Sequence, residues 1–138
     1  MSTNGKIIQG PECADHAMAL LLSLTRNIAR FVRKNDQKKM PRPIELRGKN
    51  ALIVGCGGIG LNVAERISSF GVKVNTLDDN VIPMLSFISA QYMFDQIDKV
   101  IKDMDIVICC APLTNKTFKI FNKKLIQSFK PGSFFINV

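Results

Sequence analysis

The stretch Ile53–Gly60, "IVGCGGIG", puts four glycines into eight positions directly after an aliphatic run. Glycine is costly inside regular structure, so such a cluster marks a sharp turn or a place where another group must approach the backbone. Gly55, Gly57 and Gly60 fit the spacing G-x-G-x-x-G, a weak signal when it stands alone. Its surroundings strengthen it. "NALIVG" (Asn50–Gly55) is a short continuous aliphatic run, as in a strand covered on both faces. "IGLNVAERISSFG" (Ile59–Gly71) then places Ile59, Val63, Ile67 and Phe70 at helical spacing, with Gly71 as the stop. In a strand–turn–helix, Gly55 makes the tight turn, Gly57 lets a pyrophosphate reach the backbone, and Gly60 brings the helix close to the sheet. The helix N-terminus offers unpaired N–H groups and a partial positive charge to the phosphates. The competing reading is the same turn with idle glycines.

A dinucleotide site also needs an acidic residue about 20 positions on, at the end of the next strand. "VKVNTLDD" alternates as a strand should, and Asp78 closes it eighteen positions after Gly60. A carboxylate there accepts hydrogen bonds from the adenosine ribose hydroxyls and repels a 2′-phosphate. Asp79 adds a second negative charge and the neighbouring sequence holds no arginine, which favours NAD over NADP.

Downstream, "QIDKVIKDM" reads as a short amphipathic helix and "DIVICCAP" as a second buried strand, ended by Pro112. "NKKLIQSFKPG" reads as a helix stopped by "KPG", and "SFFINV" as the last strand. "VIPMLSFISAQYMFD" is ambiguous, with Pro83 breaking it. Strands alternating with helices mean parallel pairing through right-handed crossovers, with helices on both faces. The fold class is therefore α/β, a Rossmann-like doubly wound parallel sheet carried to about its fifth strand and preceded by a long helix.

That helix spans "GPECADHAMALLLSLTRNIARFVRK", about 11–34, with Pro11 in its first turn and Arg30, Arg33 and Lys34 at its far end. Lys6–Gln9 ahead of it read as a few extended residues. Its apolar positions cover more than one face, which asks for a partner subunit or a further domain. A basic linker follows over 35–48, and the βαβ core runs over 49–138. The whole, 1–138, is read as one domain.

The 138 residues are 46% hydrophobic and 22% charged, ordinary for a globular domain. No apolar stretch reaches the roughly 18 residues that span a bilayer, and the start does not read as a signal peptide. Cys13, Cys56, Cys109 and Cys110 show no C-x-x-C spacing, so neither a metal site nor a redox pair is favoured. Buried thiols in a reducing, cytoplasmic setting fit better. The formal charge is +8, with eight basic residues between Arg30 and Lys49. No aromatic residue is interleaved beyond Phe31, and the stretch reads as a solvated linker rather than a nucleic-acid footprint.

With these elements in place, the sequence resembles the NAD-binding domain of the D-isomer-specific 2-hydroxyacid dehydrogenases. Three stretches carry the resemblance: "CADHAMALLLSLTRNI", "LRGKNALIVGCGGIGLNVAERISSFGVKVNTLD" and "DIVICCAPLTNKTFKIFNKKLIQSFKPGSFFINV". The last, with its P-L-T-x-x-T and K-P-G…I-N, is long and specific; only Asn80–Asp95 match poorly. The resemblance implies pyrophosphate contacts from Gly57, Gly58, Ile59 and Gly60, and ribose contacts from Asp78. It also implies contacts from Cys110, Ala111 and Pro112 on the nicotinamide-ribose side, from Thr117 nearby, and from Val138 at the strand end. Gly58 stands where many members carry an arginine that neutralises the pyrophosphate, so affinity is expected to rest on backbone N–H groups and to be weaker.

The family's chemistry is hydride transfer between NAD(H) and a 2-keto or D-2-hydroxy acid, using an arginine for the substrate carboxylate and an acid-poised histidine for the proton. The resemblance places all three beyond Val138, together with a substrate domain outside these residues. His16, the only histidine, lies in the long helix and does not correspond to the catalytic one. The 138 residues alone are thus expected to hold cofactor without turnover. The long helix is expected at a homodimer interface. A non-catalytic NAD-sensing co-regulator of the same fold is the alternative, and a domain for S-adenosylmethionine or nucleic acid a more distant one.

Overall fold

The computed structural model of the protein describes residues 3–33, 41–83 and 85–138, with backbone alone for 3–8. The aliphatic run after Lys49 is strand β1 (Asn50–Val54), which feeds the glycine turn and helix α3 (Gly58–Ser68). Gly71 then turns the chain at φ +72° into β2 (Lys73–Leu77). The ambiguous segment yields a three-residue strand, β3 (Ala90–Tyr92), paired with β2. A short helix α4 (Ile97–Val100), with a 3₁₀ turn on either side, leads into β4 (Ile106–Cys109). Helix α5 (Lys123–Gln127) starts where the Asn122 side chain accepts the Leu125 N–H, and β5 (Phe134–Asn137) follows it.

All pairings are parallel, in the order β3-β2-β1-β4-β5. The chain winds outward from β1 to β3, then returns to place β4 on the other side of β1. That reversal leaves a crevice at the carboxyl ends of β1 and β4, the ligand position of doubly wound sheets.

The period of two along β1 divides the core. Ala51 and Ile53 face the layer that holds Ala17 and Leu21 of helix α1 (Thr3–Thr25) and Val63 and Ile67 of α3. Leu52 and Val54 face Ile97, Ile101 and Leu125 on the other side. Each fully buried Leu, Ile or Val contributes about 1.5–3 kcal/mol.

The N-terminal helix departs from expectation in two places. It begins at Thr3, so Lys6–Gln9 are helical and Pro11 is internal. An internal proline forfeits one helical hydrogen bond, a cost of about 3 kcal/mol, here offset by burial of the face that follows it. Gly10 makes the approach possible, since a Cβ there would lie 3.1 Å from the Gly58 carbonyl oxygen. The second departure is a break. Asn27 takes a left-handed conformation (φ 57°) and its amide donates to the Pro41 carbonyl at 2.8 Å, so Ile28–Val32 form a separate turn, α2. Asparagine tolerates that conformation better than other residues with a Cβ. The expected end of the helix at Lys34 and the first part of the basic linker, 35–40, lie outside the described residues. So does Met84 of the ambiguous segment.

The all-round apolar character of this helix is resolved unevenly. Ala14, Ala17, Met18 and Leu21 are buried, whereas Leu24, Ile28, Phe31 and Val32 remain exposed. Among the described residues no helix is long and apolar enough to cross a membrane.

Candidate functional site

The residues read from the sequence as cofactor-binding lie in the loops and turns at one edge of the sheet, the carboxyl ends of β1, β2, β4 and β5. The glycine turn is built by contact. Gly55 takes φ +85°, and a Cβ there would lie 2.5 Å from the Ala111 Cα, so the turn after β1 and the loop after β4 touch backbone to backbone. Gly60 lies directly against the Gly55 carbonyl oxygen, which brings α3 down onto the strand. Backbone hydrogen bonds complete the frame: the Gly55 N–H to Leu77 O at 2.8 Å, Cys110 N–H to Val54 O at 2.8 Å, and Val138 N–H to Cys109 O at 3.1 Å.

Gly57 differs from its neighbours. It is the N-cap of α3, exposed, and a Cβ added to it would meet no described atom within 4 Å. The first N–H groups of a helix lack intrahelical acceptors, and no side chain caps this one. Open space above Gly57 and free donors from Gly58, Ile59 and Gly60 make a cradle that fits a pyrophosphate.

Asp78 reaches this cradle from β2. Its Oδ2 accepts the Cys56 N–H at 2.7 Å, while Oδ1 accepts the Asn80 N–H at 2.8 Å and the Asn80 side-chain amide at 3.0 Å. A carboxylate offers about four acceptor sites, so one remains on Oδ2. A second opens if the exposed Asn80 amide swings away. That capacity suits the two hydroxyls of a ribose.

Thr117 lies half-buried on the loop after β4. Its hydroxyl donates to the Pro112 carbonyl at 2.6 Å and accepts the Thr114 N–H at 2.8 Å. The threonine thereby shapes the loop that carries Pro112 and Ala111.

The cysteines of the site are neutral. Burial pushes the Cys56 thiol up to about 11, with the Asp78 charge adding to it, and pushes Cys110 to about 12. All four cysteines are free thiols. Among the described residues no three His, Cys, Asp or Glu side chains converge as a metal site.

One pair escaped the sequence. Lys116 Nζ lies 2.7 Å from Asp79 Oδ2, joining the loop after β4 to the end of β2 across thirty-seven positions. Lys116 occupies a variable place in P-L-T-x-x-T, and no spacing rule links it to Asp79. His16 lies exposed on α1.

The comparisons agree with this geometry. The family model described as "D-isomer specific 2-hydroxyacid dehydrogenase, NAD binding domain" matches residues 18–138. A hydroxypyruvate reductase of Thermotoga maritima is 31% identical over 92% of this chain and 42% of its own length. The NAD-complexed D-isomer-specific 2-hydroxyacid dehydrogenase of Lactobacillus delbrueckii ssp. bulgaricus superposes with a TM-score of 0.78 at 27% identity, over 92% of this chain and 40% of that one. An acyclic imino acid reductase in complex with NADPH and D-Arg gives 0.79 at 29% identity, over 94% of this chain and 42% of that one. The chain spans about two-fifths of the length of the curated relatives it matches. With its strand order, its glycine cradle and a family match over residues 18–138, this chain belongs to the NAD-binding domain family of the D-isomer-specific 2-hydroxyacid dehydrogenases.

Proposed function

We propose that this chain binds NAD(H) across the carboxyl edge of its sheet and serves as the cofactor domain of an oxidoreductase acting on 2-keto and D-2-hydroxy acids. The observation that carries the reading is the Asp78 carboxylate held 2.7 Å from the Cys56 N–H, beside an uncapped helix start. It sets a ribose acceptor and a phosphate cradle at one spacing. The N–H groups of Gly58, Ile59 and Gly60 would bind the pyrophosphate, with Gly57 giving it room. Asp78 would orient the adenosine ribose. Cys110, Ala111 and Pro112, with Val138 beside them, would form the floor toward the nicotinamide, and Thr117 would set their loop. Gly55 closes the turn from below. When bound, the cofactor supplies or takes the hydride.

These 138 residues contain one histidine, and it lies exposed on α1. They hold cofactor and do not by themselves turn over a 2-keto acid. The reducing, cytoplasmic setting read from the cysteines accords with four free thiols. The exposed apolar side chains of Leu24, Ile28 and Phe31 suit a homodimer contact along α1 and α2. The N-terminal helical segment, expected over 11–34 and reaching back to Thr3, the linker 35–48 and the core 49–138 would together make one cofactor domain.

A titration of the chain into NADH, followed by fluorescence, tests the reading. Saturable binding that NAD competes away is expected. No binding at millimolar protein, or measurable reduction of glyoxylate or hydroxypyruvate by these residues alone, would overturn it.

A further inference from the structure

The ion pair between Lys116 and Asp79 sits beside the residue assigned to the adenosine ribose. Asp79 follows Asp78 directly, and its carboxylate is held at both oxygens: Oδ1 accepts the Phe94 N–H at 3.2 Å and Oδ2 takes Lys116 at 2.7 Å. The lysine comes from the loop after β4, whose shape Thr117 fixes through Pro112. An ammonium group is therefore delivered to the ribose end of the crevice by a part of the chain remote in sequence. The geometry points to Asp79 and Lys116 as the pair that sets discrimination between NADH and NADPH, with Asp79 withholding Lys116 from a 2′-phosphate.

Charge counting gives the mechanism. With both partners in place, an incoming 2′-phosphate meets two carboxylates, Asp78 and Asp79, against one ammonium. Neutralising Asp79 leaves one carboxylate and one free ammonium, and the local charge no longer opposes the phosphate. The side chains here are 76% and 34% exposed, so water screens the pair. Among the described residues nothing but Asp79 then keeps Lys116 from turning to a phosphate in the same solvent-facing crevice. Lysine is also well suited to phosphate as a compact, rotatable point charge. The hydrogen bond from Lys116 lowers the Asp79 carboxyl and raises the Lys116 ammonium from their ordinary values, so both are charged at neutral pH.

This inference rests on the dinucleotide reading above, and the test separates the two. NADH and NADPH are titrated separately into the parent chain, Asp79→Asn, Lys116→Met and the double variant, with thermal melts to establish folding. Asp79→Asn should tighten NADPH by about tenfold or more while NADH stays within about threefold. The gain should disappear in the double variant, and Lys116→Met alone should not improve NADPH. NADH binding with no NADPH gain in Asp79→Asn, or a gain that survives loss of Lys116, overturns the inference alone. A misfolded Asp79→Asn is replaced by Asp79→Ser under the same criteria. A parent chain that binds neither nucleotide overturns the dinucleotide reading and this inference with it.

Discussion

The Asp78 carboxylate accepts the backbone N–H of Cys56 at 2.7 Å, tying the end of β2 to the middle of the glycine turn. In the proposed site one side chain would thereby shape the phosphate cradle and present the acceptor for the ribose. Asp78→Ala should weaken NADH by about tenfold or more, because a hydrogen bond to a charged group is worth about 1.5–3 kcal/mol. Asp78→Asn can keep the tether to Cys56 through its amide oxygen, so its melting temperature should fall less than that of the alanine variant. Fluorescence titration and thermal melts on the two variants check both expectations.

Two glycines of the turn should separate folding from binding. Gly55 needs φ +85° and has no room for a Cβ, which would lie 2.5 Å from the Ala111 Cα. Gly55→Ala should therefore cost roughly 3 kcal/mol, combining left-handed strain of about 1–2 kcal/mol with overpacking of about 1–3. Gly57 lies at φ −74°, an ordinary value, and faces open space. Gly57→Ala should leave the denaturation midpoint nearly unchanged while reducing NADH affinity, since its methyl group occupies the phosphate's approach. Urea unfolding paired with NADH titration distinguishes the two effects.

Local pattern carried much of this fold into view. Continuous aliphatic runs marked β1 and β4 because a strand buried on both faces has no polar side to show. Asp78 was visible because the βαβ unit has a nearly fixed length between its turn and its acid. What stayed hidden depends on contact across the chain. Nothing local signals that Gly10 would pack on Gly58 and carry the helix through Pro11, or that Asn27 would break it by bonding to Pro41. Thr117 belongs to a recognisable motif, but only geometry shows that its hydroxyl holds the Pro112 carbonyl. The Asp79–Lys116 pair depends on the sheet order, which sets β2 and β4 on either side of β1.

The buried thiols give a pH dependence with a definite sign. Cys56 rises from 9.0 to about 11 and Cys110 from 9.0 to about 12 in the folded chain, chiefly by burial. An acid whose pKa is raised on folding binds its proton more tightly in the native state. Its contribution is whole below the unfolded value of 9.0 and is lost as pH climbs through the folded value. Stability should therefore fall progressively above pH 9, and Cys56→Ala should flatten that decline. Urea midpoints between pH 8 and about 11 check it. At pH 8 both thiols should react with iodoacetamide far more slowly than a free cysteine, because only the thiolate attacks.

The apolar surface along the N-terminal helices supplies a last expectation. Leu24, Ile28 and Phe31 are 50%, 46% and 51% exposed, and they follow one another around the break at Asn27. Exposed apolar side chains set together on one element mark an association surface more often than isolated ones do. The chain should sediment as a dimer at micromolar concentration. Leu24→Glu or Phe31→Glu would place an unpaired charge in that contact, at a cost of several kcal/mol, and should shift the chain to monomer without lowering its NADH affinity. Leu24, Ile28 and Phe31 are exposed and lie outside the buried cluster that holds Ala17 and Leu21, so the fold itself should persist. A parent chain that remains monomeric in sedimentation velocity at hundreds of micromolar would remove the dimer from the reading and leave the cofactor site untouched.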